Sequence, residues 1–424
     1  MKRVASWLAA VGVLAGASTS VSALDWAGWR GPQRDGICRE EGLLSQWPEG
    51  GPRLVWKASG LGRGYSSVAV VGERIYTMGQ RGKNPRRVFV IALRRSDGRE
   101  LWAREIPGTH HPNSTPTVDG DRVYAIGATG ELVCLQASDG RLLWSKNFGK
   151  DFGGKMMSGW GYSESPLIDG DKLICTPGGT DALVVALDKR TGATIWKGRA
   201  PGEAGSRGRD GAGYASVVIS HGAGVRQYIQ LVGRGLVSYA ADDGRLLWHY
   251  NRIANGTANI PTPIVDGDLV FCSTGYGTGA ALLRLRPDGN DGVRADEVYF
   301  LNAKTLQNHH GGMVKVGPYI YCGHGHNKGF PICVEMATGR IVWGPERGPG
   351  SGSAAVLYAD GHLYFRYENG VMALIRATPE GYRLDGRFQL ATLNGKSWPH
   401  PVIADRKLYV RDQNDLLCYD LAAR

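Results

Sequence analysis

Four of the chain's ten histidines fall within eighteen positions, in the stretch NHHGGMVKVGPYIYCGHGHNKG over residues 308–329. They are His309, His310, His324 and His326. Neutral imidazoles are common ligands of zinc and other transition metals, so the stretch could mark a metal site. It could equally form a ligand-binding rim, or a solvated loop at the end of a hairpin. The surrounding strands decide between these alternatives, because they set where each ring points.

The motif VGPYIY predicts a hairpin turn centred on residues 316–317, which places His309 opposite His324. Opposed residues share a face of a sheet, and so do residues two apart. We therefore expect His309, His324 and His326 on one face and His310 on the other. This trio is the candidate metal site, although no carboxylate or cysteine is fixed beside it by the sequence.

An internal repeat supplies the elements that position these residues. Residues 114–148, STPTVDGDRVYAIGATGELVCLQASDGRLLWSKNF, read as four short alternating strands joined by glycine-containing turns. The pattern recurs, with closing aromatic residues at positions 102, 144, 196, 248, 300, 343 and 388. Their spacing of 42 to 52 residues suits four strands with their loops.

The repeat predicts an all-β fold, an eight-bladed β-propeller with four-stranded antiparallel blades. The last unit, residues 399–424, supplies only three strands, and the strand-like PRLVWKAS at residues 52–59 supplies the fourth. This N-terminal strand closes the ring and removes its open sheet edges. We expect residues 24–51 to form an N-terminal segment and residues 52–424 a single propeller.

Residues 1–23 are predicted to be a signal peptide. Lys2 and Arg3 precede a short apolar stretch, and small residues lead to a cleavage position near Ala23. No apolar run approaches the ~20 residues of a transmembrane helix, and no cysteine stands directly after the cleavage position. We therefore expect an exported protein, periplasmic or extracellular, without a lipid anchor or a transmembrane segment.

Net charge and cysteine positions add little functional signal. The formal charge of +11 comes without a Lys/Arg run, so we expect solubility rather than a nucleic-acid partner. Six of the seven cysteines occupy second-strand or third-strand positions where other repeats have alanine, which indicates small buried side chains rather than disulfides. These six are Cys134, Cys175, Cys272, Cys322, Cys333 and Cys418, whereas Cys38 lies outside the repeat.

The phrases DWAGWRGPQRDG, GWGYSESPLIDGDK, QNHHGGMV and SWPHPVIAD resemble a group of exported bacterial proteins with the quinoprotein-type, PQQ-like β-propeller repeat. The resemblance covers nearly the whole mature chain. It implies the propeller fold, which serves both quinone dehydrogenases and non-catalytic scaffolds.

One face of the predicted ring, the loop face, carries the blade-to-blade connections and the second-to-third-strand turns. Its loops are long and irregular, and residues 275–292 are among them, whereas the opposite hairpin face has short Asp-Gly turns. Long loops on a rigid scaffold usually carry function. The predicted ligand-binding rim on the loop face comprises His110, His111, Trp160, Tyr162, Glu164, His309, His310, His324, His326, Trp398 and His400.

Two classes of function are open. A quinoprotein dehydrogenase needs PQQ between flat surfaces, calcium beside it and a carboxylate base. Related enzymes commonly carry adjacent cysteines, which this chain lacks, and no carboxylate cluster has the spacing of a calcium loop.

We therefore favour an exported, non-catalytic and monomeric binding or scaffold module that acts through its loop face. Its partner would be an envelope protein, a peptide or a small ligand, with carbohydrate also open. Resemblance to a lipoprotein subunit of the outer-membrane barrel assembly machinery implies a role in cell-envelope protein assembly. The alternative is a PQQ- and calcium-dependent alcohol or sugar dehydrogenase.

Overall fold

The computed structural model describes residues 25–83, 86–289, 291–396 and 398–423. In this part of the chain, 33 strands form eight sheets. The first strands of neighbouring blades contact one another, so they line the centre of the ring. The predicted eight-bladed propeller is confirmed, whereas the predicted signal peptide lies outside the described residues.

Two strands precede the first blade: β1 Ile37–Cys38 and β2 Leu54–Ala58. The first four blades then follow in chain order, each running from the centre outward. Their strands are β3 Ala69–Val71, β4 Arg74–Arg81, β5 Arg87–Arg94 and β6 Glu100–Ile106; β7 Thr117–Asp119, β8 Arg122–Ile126, β9 Glu131–Gln136 and β10 Leu142–Asn147; β11 Leu167–Asp169, β12 Lys172–Cys175, β13 Val184–Asp188 and β14 Thr194–Gly198; β15 Val218–Ser220, β16 Gln227–Val232, β17 Gly235–Ala240 and β18 Leu246–Tyr250.

The remaining blades continue the order, and the eighth has three strands of its own. Their strands are β19 Ile264–Asp266, β20 Leu269–Thr274, β21 Gly279–Asp288 and β22 Gly292–Asn302; β23 Met313–Val316, β24 Tyr319–His324, β25 Phe330–Glu335 and β26 Ile341–Trp343; β27 Ala354–Ala359, β28 His362–Tyr367, β29 Val371–Arg376 and β30 Leu384–Gln389; β31 Val402–Ala404, β32 Lys407–Asp412 and β33 Asp415–Asp420. A short helix, α1 Phe148–Phe152, follows β10, and a 3-10 turn at Gly222–Gly224 follows β15.

Strand β2 closes the eighth blade, as predicted. It pairs antiparallel with β33, and Trp56 lies opposite Cys418. One sheet therefore combines a strand from the N-terminal part of the chain with three from the C-terminal part, and this sheet closes the ring.

The recurring tryptophan, glycine and small third-strand residue belong to one packing unit. Trp144 on β10 lies opposite Cys134 on β9, so the third strand must present a small side chain there. In the preceding blade, Trp102 donates from Nε1 to the carbonyl of Ala137 in the next blade, at 3.1 Å. A Cβ on Gly140, which has a φ of +72°, would lie 2.6 Å from the Trp102 ring. Each such unit therefore joins a blade to the one that follows it.

The predicted cysteine positions are confirmed for all six repeat cysteines. They lie on second or third strands, and all seven cysteines are buried and free. Burial raises the pKa of Cys322 to about 12, which keeps its thiol protonated.

Residues 26–38 of the N-terminal segment fill the centre of the ring, which the sequence did not reveal, whereas Trp47 farther along packs on Phe388 of the outer strand β30. Trp26 bridges to Val70 on β3, and β1 pairs parallel with β27, so the segment contacts the first strands of two blades. The amide of Val118 on β7 also donates to the carbonyl of Ala27 at 2.8 Å. Cys38, unassigned by the repeat, belongs to this segment.

The segment enters and leaves at the hairpin face. Asp25 accepts a hydrogen bond from the amide of Gly72 in the β3–β4 turn. Farther along, Glu40 accepts from the amides of Asp405 and Arg406 in the β31–β32 turn. Residues 26–38 therefore form a hairpin-like plug whose bend points toward the loop face.

One stretch predicted as a loop is mostly strand. Only residues 275–278 form a connection on the loop face, whereas the residues beyond them belong to β21 and β22. These strands have 10 and 11 residues and turn on the hairpin face. The placement of residues 279–292 on the loop face was therefore wrong, because the Asp-Gly turn that ends this longer hairpin comes late. None of the described helices is long and apolar enough to cross a membrane.

Candidate functional site

A cavity of ≈ 250 Å³ lies between the N-terminal plug and the loops of the loop face. Its lining is rich in flat side chains: Trp29, Tyr65, Trp160, Tyr214, Tyr276 and Trp398, together with His111, His309, His310, His326 and His400. Seven of the eleven predicted rim residues therefore meet at one place.

The predicted register of the histidine hairpin was wrong. Val316 lies opposite Tyr319, and the β23–β24 ladder starts only at Met313, so His309 and His310 precede the strand. The turn is at Gly317 and Pro318, one residue later than predicted, and Gly311 packs against the next blade, where a Cβ would lie 1.6 Å from the carbonyl oxygen of Ala354. Side-chain alternation therefore does not extend back to the two histidines.

His309 and His310 instead stack on each other, with ring centroids 3.6 Å apart and planes 24° apart. His309 is hydrogen-bonded at both nitrogens, Nδ1 to Ser353 Oγ at 2.9 Å and Nε2 to the Tyr276 hydroxyl at 3.0 Å. Burial, and then the neighbouring His310, lowers the pKa of His309 to about 2. Burial likewise lowers the pKa of His310 to about 3. Both rings are therefore neutral at physiological pH.

Tyr276 and His326 extend this stack on one side. Their ring centroids lie 4.6 Å apart, and His326 lies 4.1 Å from His309. Tyr276 has a φ of +55°, a left-handed conformation that is uncommon for a bulky residue and occurs often at functional sites. The surrounding rings therefore hold a strained residue against the cavity.

Trp398 continues the aromatic wall on the other side. Its ring lies 4.7 Å from His310, 4.4 Å from Tyr65 and 6.4 Å from Trp160. The Trp160 side chain is 58% exposed, so it offers an open apolar surface at the mouth. Together these rings provide stacking surfaces for a planar group.

The plug supplies the floor. Trp29 packs edge to face on His400 at 4.5 Å and donates from Nε1 to Thr262 Oγ1 at 3.3 Å. Arg30 lies beside it and is 4% exposed. Burial, followed by the charge of Arg30, lowers the pKa of His400 to about 3. The floor is therefore aromatic and carries the positive charge of one guanidinium.

Four predicted rim residues lie outside the lining. Tyr162 packs on Phe148 at 5.0 Å and donates to the carbonyl of Pro177, so it belongs to the core. Glu164 is buried and accepts hydrogen bonds from the amide and hydroxyl of Thr176, and burial raises its pKa to about 8. These two side chains are therefore packed in the protein interior behind the cavity lining.

The other two are His110, which is exposed, and His324. His324 accepts a hydrogen bond at Nδ1 from the amide of Gln307, 3.3 Å away. Among the described residues, no group of three or more His, Cys, Asp or Glu side chains is arranged to hold a metal ion. The candidate trio of His309, His324 and His326 is therefore not assembled in the way that the hairpin register suggested.

The cavity is also lined by residues that were not predicted from the sequence. Tyr65, Tyr214 and Tyr276 each follow a glycine on the loop face, and this recurrent Gly-Tyr pair is a signal that could have identified them. For Trp29 and Arg30 the only hint was an aromatic-basic pair between glycines, in a segment without periodicity.

The side chains that line the cavity do not fit PQQ with calcium. That chemistry requires carboxylate or other oxygen ligands for the cation and a carboxylate base beside the quinone. The described lining residues include no Asp or Glu. Flat surfaces and neutral oxygen atoms, such as those of Asn113 and Asn327, are present, but the described lining has no carboxylate to serve as the base or as a charged ligand of the cation.

Comparisons with known proteins agree with the repeat. A quinohemoprotein alcohol dehydrogenase from Pseudomonas putida HK5 has a similar structure, with a TM-score of 0.64, 14% identity and coverage of 95% of this chain and 81% of that one. At that identity the likeness shows the fold alone.

Two curated relatives are outer membrane protein assembly factor BamB from Vibrio cholerae serotype O1 and from Salmonella typhimurium. Each is 30% identical, over 118 and 114 residues, or 27% and 25% of this chain. The matched parts span only 30% and 28% of those relatives' own lengths. A family model described as outer membrane protein assembly factor BamB matches residues 86–345, more than half of the chain. The chain therefore belongs to this family.

Proposed function

We propose that this protein is an exported binding module of the bacterial cell envelope, which holds a partner at the loop-face cavity and does no chemistry on it. The family and its relatives' names support a role in outer-membrane protein assembly. The partner would be an envelope protein, of which a segment or a bound small molecule enters the cavity. We also expect a monomer without a lipid anchor.

The observation that carries this proposal is the character of the lining. Aromatic rings and neutral imidazoles surround the cavity, without a carboxylate among the described lining residues. Such a surface stacks and hydrogen-bonds well. His309, His310 and His400 have pKa values of about 2 to 3. A general base works best with a pKa near neutrality, so these three imidazoles do not suit that role.

The plug makes the loop face the accessible entrance. Residues 26–38 occupy the centre of the ring and connect to the hairpin-face turns at Gly72 and Asp405. A partner therefore reaches the cavity from the side of Trp160 and Trp398.

The test is affinity capture from an envelope extract of the source organism. Trp160→Ala removes an exposed ring at the mouth, and Leu142→Ala, which removes a 47% exposed side chain from the outer strand β10, is the matched control. We expect wild type and Leu142→Ala to retain the same partner and Trp160→Ala to lose most of it. Equal retention by all three would show that the partner binds elsewhere.

The dehydrogenase alternative has its own test. The purified protein is incubated with PQQ and calcium, and oxidation of alcohols and sugars is followed with an artificial electron acceptor. We expect no turnover, because no carboxylate base is among the described residues that line the cavity. Sustained turnover that requires both additions would overturn the binding-module proposal.

A further inference from the structure

Arg30 is a buried cation with one unpaired group. Its Nη2 donates to the carbonyls of Asp35 and Met313, and its Nε donates to the carbonyl of Arg34. Its Nη1 has no hydrogen-bond partner among the described residues, and it is buried. Backbone carbonyls thus fix the guanidinium, and the unpaired Nη1 lies next to Gly312, which lines the cavity as Arg30 does.

No described carboxylate neutralises this charge by direct pairing. The carboxylate of Asp35, which follows Arg30 in the plug, is paired with Arg39 at 2.8 Å. Burying a cation without a paired anion is costly, and a buried polar atom without a partner can mark a site that a ligand fills.

The other charged side chain of the lining also favours an anionic ligand. Lys396 lies at the mouth, 62% exposed, with Nζ 5.1 Å from the centre of the Trp398 ring and 3.8 Å from a carboxylate oxygen of Glu368, which lies outside the lining. The described lining contains two cationic side chains, Arg30 and Lys396, and no acidic one. The neutral rings of His309 and His310 neither compensate nor repel an anion.

Flat surfaces lie between these two cations. His310 and Trp398 are 4.7 Å apart and Tyr65 lies 4.4 Å from Trp398, so rings line the path from Lys396 to the floor. A ligand that reaches Arg30 therefore passes along aromatic faces, where a planar ring would be stabilised by stacking.

We infer that the floor of the cavity is an anion-binding subsite built by Arg30 of the N-terminal plug, and that the ligand is a small aromatic compound bearing a carboxylate or phosphate group. This inference rests on the proposed function, because it names the chemistry of what the loop face binds. The oxyanion accepts a hydrogen bond from Arg30 Nη1, and the ring lies along Trp398. Binding requires neither a metal ion nor a reaction.

The experiment is isothermal titration calorimetry of the purified full chain with four probes. These are 1-naphthoate, 1-naphthyl phosphate, neutral 1-naphthamide and acetate. We expect the preferred naphthyl anion to bind about 10-fold or more tighter than naphthamide, because a charge-assisted hydrogen bond contributes about that much to affinity. Acetate, which has no ring, should bind weakest of the four. The preference between the two naphthyl anions tells carboxylate from phosphate.

Variants locate the charge. Arg30→Gln should abolish the preference for the anionic probe over naphthamide, whereas Lys396→Gln should reduce it only a few-fold because Lys396 is exposed. Lys150→Gln, an exposed loop-face lysine outside the lining, is the matched control and should change nothing. If Arg30→Gln does not fold, the inference is tested by the ratio of the wild-type protein's affinities for the naphthyl anion and for naphthamide.

Equal binding of the anionic and neutral naphthyl probes would overturn the inference, and so would a charge preference that survives in folded Arg30→Gln. Failure of all four probes at millimolar concentration would also overturn it. In that case, capture of an envelope partner that depends on Trp160 would leave the proposed function standing.

Discussion

The Tyr276 hydroxyl and the His309 imidazole are joined by a 3.0 Å hydrogen bond, although 33 residues separate them in the chain. On its other side, His309 bonds Ser353 from the next blade at 2.9 Å. One imidazole therefore links the loops of three consecutive blades, and its position fixes the shape of the cavity wall.

His309→Ala should lower the free energy of unfolding by about 1–3 kcal/mol, because the hydroxyls of Tyr276 and Ser353 lose their shared partner in a buried site. Urea denaturation followed by tryptophan fluorescence measures this. His110→Ala, at an exposed position, is the control and should stay within about 0.5 kcal/mol of wild type. A His309→Ala protein as stable as wild type would contradict a structural role for these hydrogen bonds.

Gly140→Ala should destabilise the propeller more than Gly170→Ala does. Both glycines have positive φ, so each substitution costs about 1–2 kcal/mol in backbone strain. Only at Gly140 does the added Cβ meet a ring, that of Trp102, and we expect a further loss of about 1–3 kcal/mol. The difference in urea midpoints reports the ring contact, and equal midpoints would mean that tryptophan-glycine packing does not join the blades.

Acid should destabilise the fold between about pH 6.5 and pH 3. The pKa values of His310 and His400 are about 3 in the fold but near 6.5 in the unfolded chain. In this window the unfolded state binds protons that the folded state does not, so stability falls as pH falls.

His310→Gln isolates one of these groups. We expect the plot of unfolding free energy against pH to be less steep for the variant than for wild type, by up to about 1.4 kcal/mol per pH unit. Because burial raises the pKa of Glu164 to about 8, Glu164 alone would make stability fall as pH rises from about 4.5. The comparison of variant with wild type cancels that contribution, since both contain Glu164. Parallel curves from pH 7 to pH 4.5 would show that His310 titrates normally in the fold.

All seven cysteines should resist a thiol reagent in the native protein and react together in denaturant. They are buried and free, and burial raises the pKa of Cys38 to about 12. Absorbance titration with an aromatic disulfide reagent counts the thiols. Fewer than seven in denaturant would reveal a disulfide, and fast reaction without denaturant would place a thiol at the surface.

The ring of blades was predictable because its signal is repeated. Trp102, Trp144 and Trp196 each pack on a glycine of the following blade, and each faces a small third-strand residue. Three residue types at fixed offsets must therefore recur whenever a blade is added. The same periodicity identified β2 as the closing strand, because Trp56 stands at the expected place.

The plug was not predictable on the same grounds. Residues 26–38 are held largely by backbone pairing and by Arg30 and Arg34, which donate to backbone carbonyls. Carbonyls are present at every residue, so such contacts leave no pattern in the sequence. Two residues of the cavity floor, Trp29 and Arg30, were therefore missed.

The histidine stretch lies between these cases. The presence of a hairpin was predicted correctly, but its turn lies one residue later than predicted, and its ladder ends at Met313, where Gly311 and Gly312 turn the chain. Alternation of faces holds only within a ladder, so extending it by a few residues put His309 and His310 on opposite sides. Their stacking depends on contacts with Ser353 and Tyr276, which belong to other blades.

Site-specific photocrosslinking tests the central claim, that the loop-face cavity is the binding site, most directly. A photoreactive phenylalanine analogue replaces Trp160 at the cavity mouth or, in separate proteins, Leu142 on an outer strand and Asp171 on the hairpin face, all of them exposed. After irradiation in envelope extract, we expect one specific adduct from position 160 and none from 142 or 171. An adduct from position 142 or 171, with none from position 160, would contradict the account.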